Sequence, residues 1–93
     1  MFAVTRLRVP DGGVADLAAA VDGLLRALAA RPGFLGGELG RATEDDGLYA
    51  LLTRWDGVGS YRRALSAAEV KIAGAAVWVH ALDEPGVYVQ PGD

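Results

Sequence analysis

Two periods govern where apolar residues fall along this chain. From Val14 to Arg31 they recur at Val14, Leu17, Ala18, Val21, Leu24, Leu25 and Leu28. Spacings of three and four draw one stripe along a helix and leave Asp16, Asp22 and Arg26 off it. Asp11 and Asp16 lie near its start and Arg31 near its end, as the helix dipole favours, and Pro32-Gly33 stops it. The flanking segments read as strands. Phe2 to Val9 is β-branched and apolar and closes at Pro10-Asp11-Gly12-Gly13; Phe34 to Thr43 follows the helix, with Gly36, Gly37 and Gly40 marking a weak strand or a bulge. After the turn Glu44-Asp45-Asp46-Gly47, Leu48 to Trp55 completes a hairpin.

Asp56-Gly57-Val58-Gly59 breaks the pattern again. Ser60 is placed to cap a short helix from Tyr61 to Leu65, and Ser66-Ala67-Ala68-Glu69 has capping-box spacing for a further helix from Ala67 to Trp78. Asp83-Glu84-Pro85-Gly86 precedes a last strand, Val87 to Gln90. The order β-α-β-β-α-β predicts one α+β domain over residues 1–93, a ferredoxin-like antiparallel sheet with helices on one face.

The Leu48–Trp55 strand carries a second message. Leu48, Ala50, Leu52 and Arg54 occupy one parity, Tyr49, Leu51, Thr53 and Trp55 the other, so both faces are apolar for most of its length. A sheet with one wet face alternates apolar and polar residues. Helices cover one face only, which predicts that the other packs against the sheet of a second copy, as a homodimer. Composition agrees, since 52% apolar residues is generous for 93. A net charge of −3 offers no basic face for nucleic acid, and no apolar run reaches the length needed to span a membrane. The absence of cysteine excludes disulfides, thiol catalysis and thiolate metal sites. No signal peptide is evident, so a cytoplasmic protein is the simplest expectation.

Arg31-Pro32-Gly33-Phe34-Leu35-Gly36-Gly37, then Thr53-Arg54-Trp55-Asp56, Tyr61, Ala64-Leu65-Ser66, Glu69-Val70 and Asp83-Glu84-Pro85-Gly86-Val87-Tyr88 together resemble the antibiotic-biosynthesis-monooxygenase family. The resemblance spans nearly the whole chain in order. It implies a dimeric α+β barrel built between two subunits, with a pocket in each between sheet and helices. It also implies a cofactor-free oxidation of a small electron-rich aromatic by oxygen. In the polyketide-quinone oxygenases of this family an Asn stands four residues before the motif Trp and a Tyr six after it. The corresponding residues here are Leu51, Trp55 and Tyr61. Leu51 has no group to hydrogen-bond a substrate oxygen. Where the haem-degrading branch carries Asn, Trp and His, this chain aligns Thr5, Ala64 and Gly74, which disfavours haem chemistry.

Two readings attach to each candidate residue. Trp55 and Tyr61 either line a pocket, stacking on a flat ring with the Tyr61 hydroxyl as a polar handle, or close a strand-to-helix corner in the core. His80 is the only residue type here that titrates near neutrality, so it is the candidate general base; the alternative is a solvated helix end. One His without a nearby acidic cluster makes no metal site. Arg54 is either salt-bridged, with Glu38 across the hairpin as its partner, or a counter-ion for a bound phenolate. Trp78 packs in the apolar run Ile72 to Leu82 or forms a pocket wall. The catalytic candidates are therefore Tyr61 and His80, and the substrate-binding candidates Leu51, Arg54, Trp55 and Trp78, with no cofactor. The competing expectations are a small-ligand-binding or accessory domain on the same scaffold, and a scaffold whose role is dimerisation.

Overall fold

A computed structural model describes residues 1–93. Its elements are β1 (Phe2–Arg8), α1 (Val14–Ala29), β2 (Phe34–Arg41), β3 (Leu48–Trp55), α2 (Val58–Ser66), α3 (Ala68–Trp78) and β4 (Val87–Tyr88). The four strands form one antiparallel sheet in the order β2-β3-β1-β4. This is the ferredoxin-like α+β arrangement expected from the apolar pattern. The odd residues of β3, Tyr49, Leu51, Thr53 and Trp55, are all buried, whereas the even residues are half-buried or exposed. The helices therefore lie on the odd face. From α1 the stripe Leu17, Val21, Leu24 and Leu28 packs down onto it, joined by Val70 and Val77 of α3.

The second helical segment is two helices, as expected, but the first begins earlier, at Val58, and neither predicted serine cap forms. Gly57 precedes α2, so Ser60 sits inside the helix, buried, with its Oγ accepting a hydrogen bond from Arg63 Nη2 at 3.3 Å. Ser66 is still helical, and its hydroxyl donates to the Arg62 carbonyl at 2.9 Å, the backward i−4 bond that competes with capping. The N-cap of α3 is Ala67, without a side-chain bond. α1 and β2 each end two residues short of the predicted bounds, and the last strand is cut to two residues.

The chain after α3 instead follows the free edge of β1. Arg8 N donates to His80 O at 3.0 Å, Leu82 N to Arg6 O at 2.9 Å and Val4 N to Gly86 O at 2.7 Å. A β-bulge between Phe34 and Gly36 shifts the hairpin register, so Arg54 stands opposite Gly36 and Glu38 opposite Leu52. The predicted Arg54–Glu38 ion pair is consequently absent. The two residues share a face but are offset by two positions, and the four salt bridges are Arg6–Glu84, Arg8–Asp45, Arg26–Asp22 and Arg41–Asp46.

Candidate functional site

Between the sheet's odd face and the helices lies a small pocket whose lining includes Leu51, Thr53, Trp55, Tyr61, Leu65 and Trp78, with Ala3, Thr5 and Leu28 completing the wall. Four of the six residues singled out in the sequence thus meet at one place. β3 supplies Leu51, Thr53 and Trp55 because residues two apart on a strand face the same way. Leu51 and Trp55 are each only 2% exposed.

Trp55 is the fixed point. Its ring meets Phe34 edge-on at 5.1 Å and 70°, and Tyr61 edge-on at 5.7 Å and 71°. Both are T-shaped contacts of the kind the aromatic quadrupole favours. Its indole N–H donates to Thr53 Oγ1 at 3.0 Å in the buried interior. Thr53 is the site residue that sequence reading passed over. The available signal was its position, a hydroxyl at an inward-facing place on an apolar strand, where a buried polar group requires a partner.

The corner that carries Tyr61 is set by Gly33, whose φ is +89°. Asp56 N donates to the Gly33 carbonyl at 2.9 Å, and a Cβ built on Gly33 would lie 2.5 Å from both Asp56 Oδ1 and Ser60 Cβ. The α1–β2 junction therefore packs directly on the β3–α2 corner, and only a residue without a side chain permits that approach.

Electrostatically the pocket is nearly blank. Its lining contains no Asp, Glu, His, Lys or Arg, and its polar atoms are the hydroxyls of Thr5, Thr53 and Tyr61 and the indole N–H groups. Burial pushes the Tyr61 phenol above its ordinary pKa. At neutral pH it is a hydrogen-bond donor and not a base. About 10 Å³ is open to the centre of a water molecule, room for roughly one water.

The remaining two candidates lie elsewhere. Arg54 is on the open face of the sheet, at a broad hollow of about 350 Å³ lined with Phe2, Leu35 and Tyr88. His80 follows α3 in the turn that returns to β1, and its carbonyl holds Arg8 N. Tyr61 lines the pocket with Trp78, two residues before His80, but His80 itself is not part of that lining. Nor does it line the hollow at Arg54. No group of three His, Asp or Glu side chains is close enough to hold a metal ion.

The model of the antibiotic biosynthesis monooxygenase family matches residues 1–76. This chain belongs to that family. The matched span contains every pocket residue except Trp78. No curated protein sequence matches this one. Among solved structures, the chain is similar to SnoaB, a cofactor-independent oxygenase from Streptomyces nogalater, at 23% identity and a TM-score of 0.84, covering 99% of this chain and 93% of that one. It is also similar to a Bordetella bronchiseptica protein assigned as an antibiotic biosynthesis monooxygenase, at 22% identity and a TM-score of 0.76 over 92% and 88% of the two chains. A Caulobacter crescentus protein with the same assignment gives 24% identity and a TM-score of 0.75 over 90% and 80%. At these identities the likenesses establish the shared fold. No helix is long and apolar enough to cross a membrane.

Proposed function

We propose that this member of the family is a homodimeric oxygenase that oxidises a small electron-rich aromatic, such as an anthrone, naphthol or hydroquinone, with molecular oxygen and no resident cofactor. The observation that carries the reading is the pocket beneath the helices, walled by Trp55, Tyr61 and Trp78. SnoaB, described as a cofactor-independent oxygenase, supports it through the common fold. Fold by itself does not carry function.

The chemistry asks little of the protein. An anthrone-type methylene reacts as CH2 + O2 → C=O + H2O: two C–H bonds and the O–O bond break, one carbon–oxygen double bond forms, and the second oxygen leaves as water. The electrons come from the substrate once it is an enolate or phenolate. Trp55 and Trp78 hold the ring, Leu28, Leu51 and Leu65 keep water out, and the Tyr61 phenol donates to the substrate oxyanion. With no base in the lining, the substrate must enter already ionised or lose its proton to solvent. The rate should therefore rise with pH along the substrate's own ionisation, without a protein-derived bell. Neither His80 nor Arg54 has a place in that pocket.

The homodimer rests on the open face of the sheet. Val4, Leu52 and Ala50 lie there beside exposed Phe2, Leu35 and Tyr88, with Arg54 and Arg6 on the same face, a largely apolar surface that a second copy would cover. A second functional reading, ligand binding without turnover, is favoured by Leu51, a buried aliphatic residue where the related polyketide-quinone oxygenases carry a hydrogen-bonding amide. Oxygen uptake by chelator-treated protein over a panel of anthrones, naphthols and benzohydroquinones separates the two. Uptake above autoxidation that falls about tenfold or more in Tyr61→Phe and is unchanged in His80→Ala supports the oxygenase. Tight binding with no uptake supports the carrier.

A further inference from the structure

The pocket is walled by aromatic and aliphatic side chains and is almost full. About 10 Å³ admits a water centre, whereas a cavity of about 150 Å³ is what holds a benzene-sized guest. A wall must therefore move. Leu28, Leu51, Thr53 and Trp55 are poor candidates, being buried, and Trp55 is tied to Thr53 through its indole N–H.

Trp78 differs from them in every respect. It is only half-buried, its indole N–H makes no hydrogen bond, and it is the last residue of α3. A long side chain on a helix leans back over the residue four positions before it. Here that residue is Gly74, which is buried. A Cβ on Gly74 would collide with Trp78 Nε1 and lie 3.0 Å from Cε2 and 3.1 Å from Cδ1. The glycine thus makes a seat in which the indole sinks toward the sheet and occupies the space beside Tyr61 and Leu65.

We propose that Trp78 is the gate and the size-determining residue of this pocket. Seated on Gly74 it fills the site, and turned outward from the end of α3 it admits one aromatic ring in its place. The exchange substitutes one aromatic surface for another against the same walls, so opening leaves no void behind the guest. This inference rests on the pocket being the ligand site, as argued above, but not on any oxygen chemistry.

Gly74→Ala is the informative variant. The added methyl meets the far end of a flexible side chain, so the indole shifts and the backbone stays. Alanine is also the better helix former. The experiment uses protein labelled with 5-fluorotryptophan, whose two ¹⁹F lines report Trp55 and Trp78 and are assigned with Trp78→Phe. The probe is 1-naphthol, with binding measured in parallel by calorimetry.

The gate predicts that 1-naphthol moves the Trp78 line toward the position of solvent-exposed fluorotryptophan and moves the Trp55 line less. In Gly74→Ala the Trp78 line is displaced before any ligand is added. The variant binds 1-naphthol about threefold or more tightly, because less of the protein has to leave the closed state. A Trp78 line that stays put while 1-naphthol binds overturns the proposal, as does a Gly74→Ala protein identical to wild type in both line position and affinity. If neither protein binds the probe, there is no site behind the indole and the gate falls with it. Binding and gating that survive without oxygen uptake would leave the gate standing and refute the oxygenase.

Discussion

Thr53→Val tests how the pocket's aromatic wall is held in place. Valine keeps the shape of threonine and deletes the hydroxyl that accepts the Trp55 indole N–H at 3.0 Å. Both residues are buried, Thr53 at 5% and Trp55 at 2% exposure, so bulk solvent does not replace the lost acceptor, and the pocket beside them has room for about one water at most. Leaving one buried donor unpaired costs about 1–3 kcal/mol. A chain of 93 residues has a total stability of about 5–14 kcal/mol. The variant should therefore lose a visible share of it, with Tm falling about 4–8 °C for each kcal/mol. Urea unfolding followed by circular dichroism gives the number. A double-mutant cycle with Trp55→Phe isolates the cause, because phenylalanine has no N–H to strand. The cost of Thr53→Val should shrink to a few tenths of a kcal/mol in the Phe background, and Thr53→Ser should retain most of the stability. An equal cost in both backgrounds would refute the argument, since the loss would then come from packing around residue 53 and not from the indole.

Gly33→Ala should be more damaging: an L-residue at φ +89° costs about 1–2 kcal/mol in backbone strain, and the methyl's contacts with Asp56 and Ser60 add about 1–3 kcal/mol of overpacking, read as a Tm loss of about 8 °C or more. Leu52→Glu should separate the proposed homodimer: each copy forfeits about 1.5–3 kcal/mol of apolar burial and the two-fold brings two carboxylates into one interface, weakening dimerisation about a hundredfold or more, measured by sedimentation as a fall from twice the 9.7 kDa chain mass. Acid should weaken the fold through Glu84 and Asp45. The hydrogen bond from Arg6 holds the Glu84 carboxyl below its usual range, and those from Arg8 and then Gly47 N do the same for Asp45. Their contribution is complete above the unfolded-state pKa of about 4 and disappears as pH falls through the lower folded-state value. The urea midpoint should accordingly drop below about pH 4, and Glu84→Gln should flatten part of that dependence.

The legible parts of this fold were those where one pattern answers to one force. Leu17, Val21, Leu24 and Leu28 of the 3.6-residue stripe of α1 are buried on the sheet, whereas Val14 and Ala18 are exposed and Leu25 is half-buried; the double-apolar β3 has both faces in use, but which parity meets the helices is settled only by the fold. What escaped reading depended on geometry between segments. The break between α2 and α3 falls where the sequence placed it, but the Ser66 hydroxyl turns back to Arg62 where a cap was expected. The Phe34/Gly36 bulge was suspected from the glycines, but its effect on register, which separates Glu38 from Arg54, is invisible without the pairing. Of the candidate site, Leu51, Trp55, Tyr61 and Trp78 meet because β3, α2 and α3 converge over one face. His80 is drawn off by the return of the chain along β1, a long-range contact that local spacing does not encode. The roles of Thr53 and Gly74 emerge only once their partners, Trp55 and Trp78, are seen beside them.

The central claim is that the pocket beneath the helices directs oxygen onto a carbon of an electron-rich aromatic substrate, such as the anthrone methylene, without a cofactor. Its most direct test is turnover of an anthrone under ¹⁸O2 by metal-free protein, comparing wild type with Tyr61→Phe. The account predicts a quinone carrying one ¹⁸O atom, formed faster than by autoxidation and about tenfold or more slowly in the variant. Product formed no faster than without protein, or label arriving from water, would contradict it.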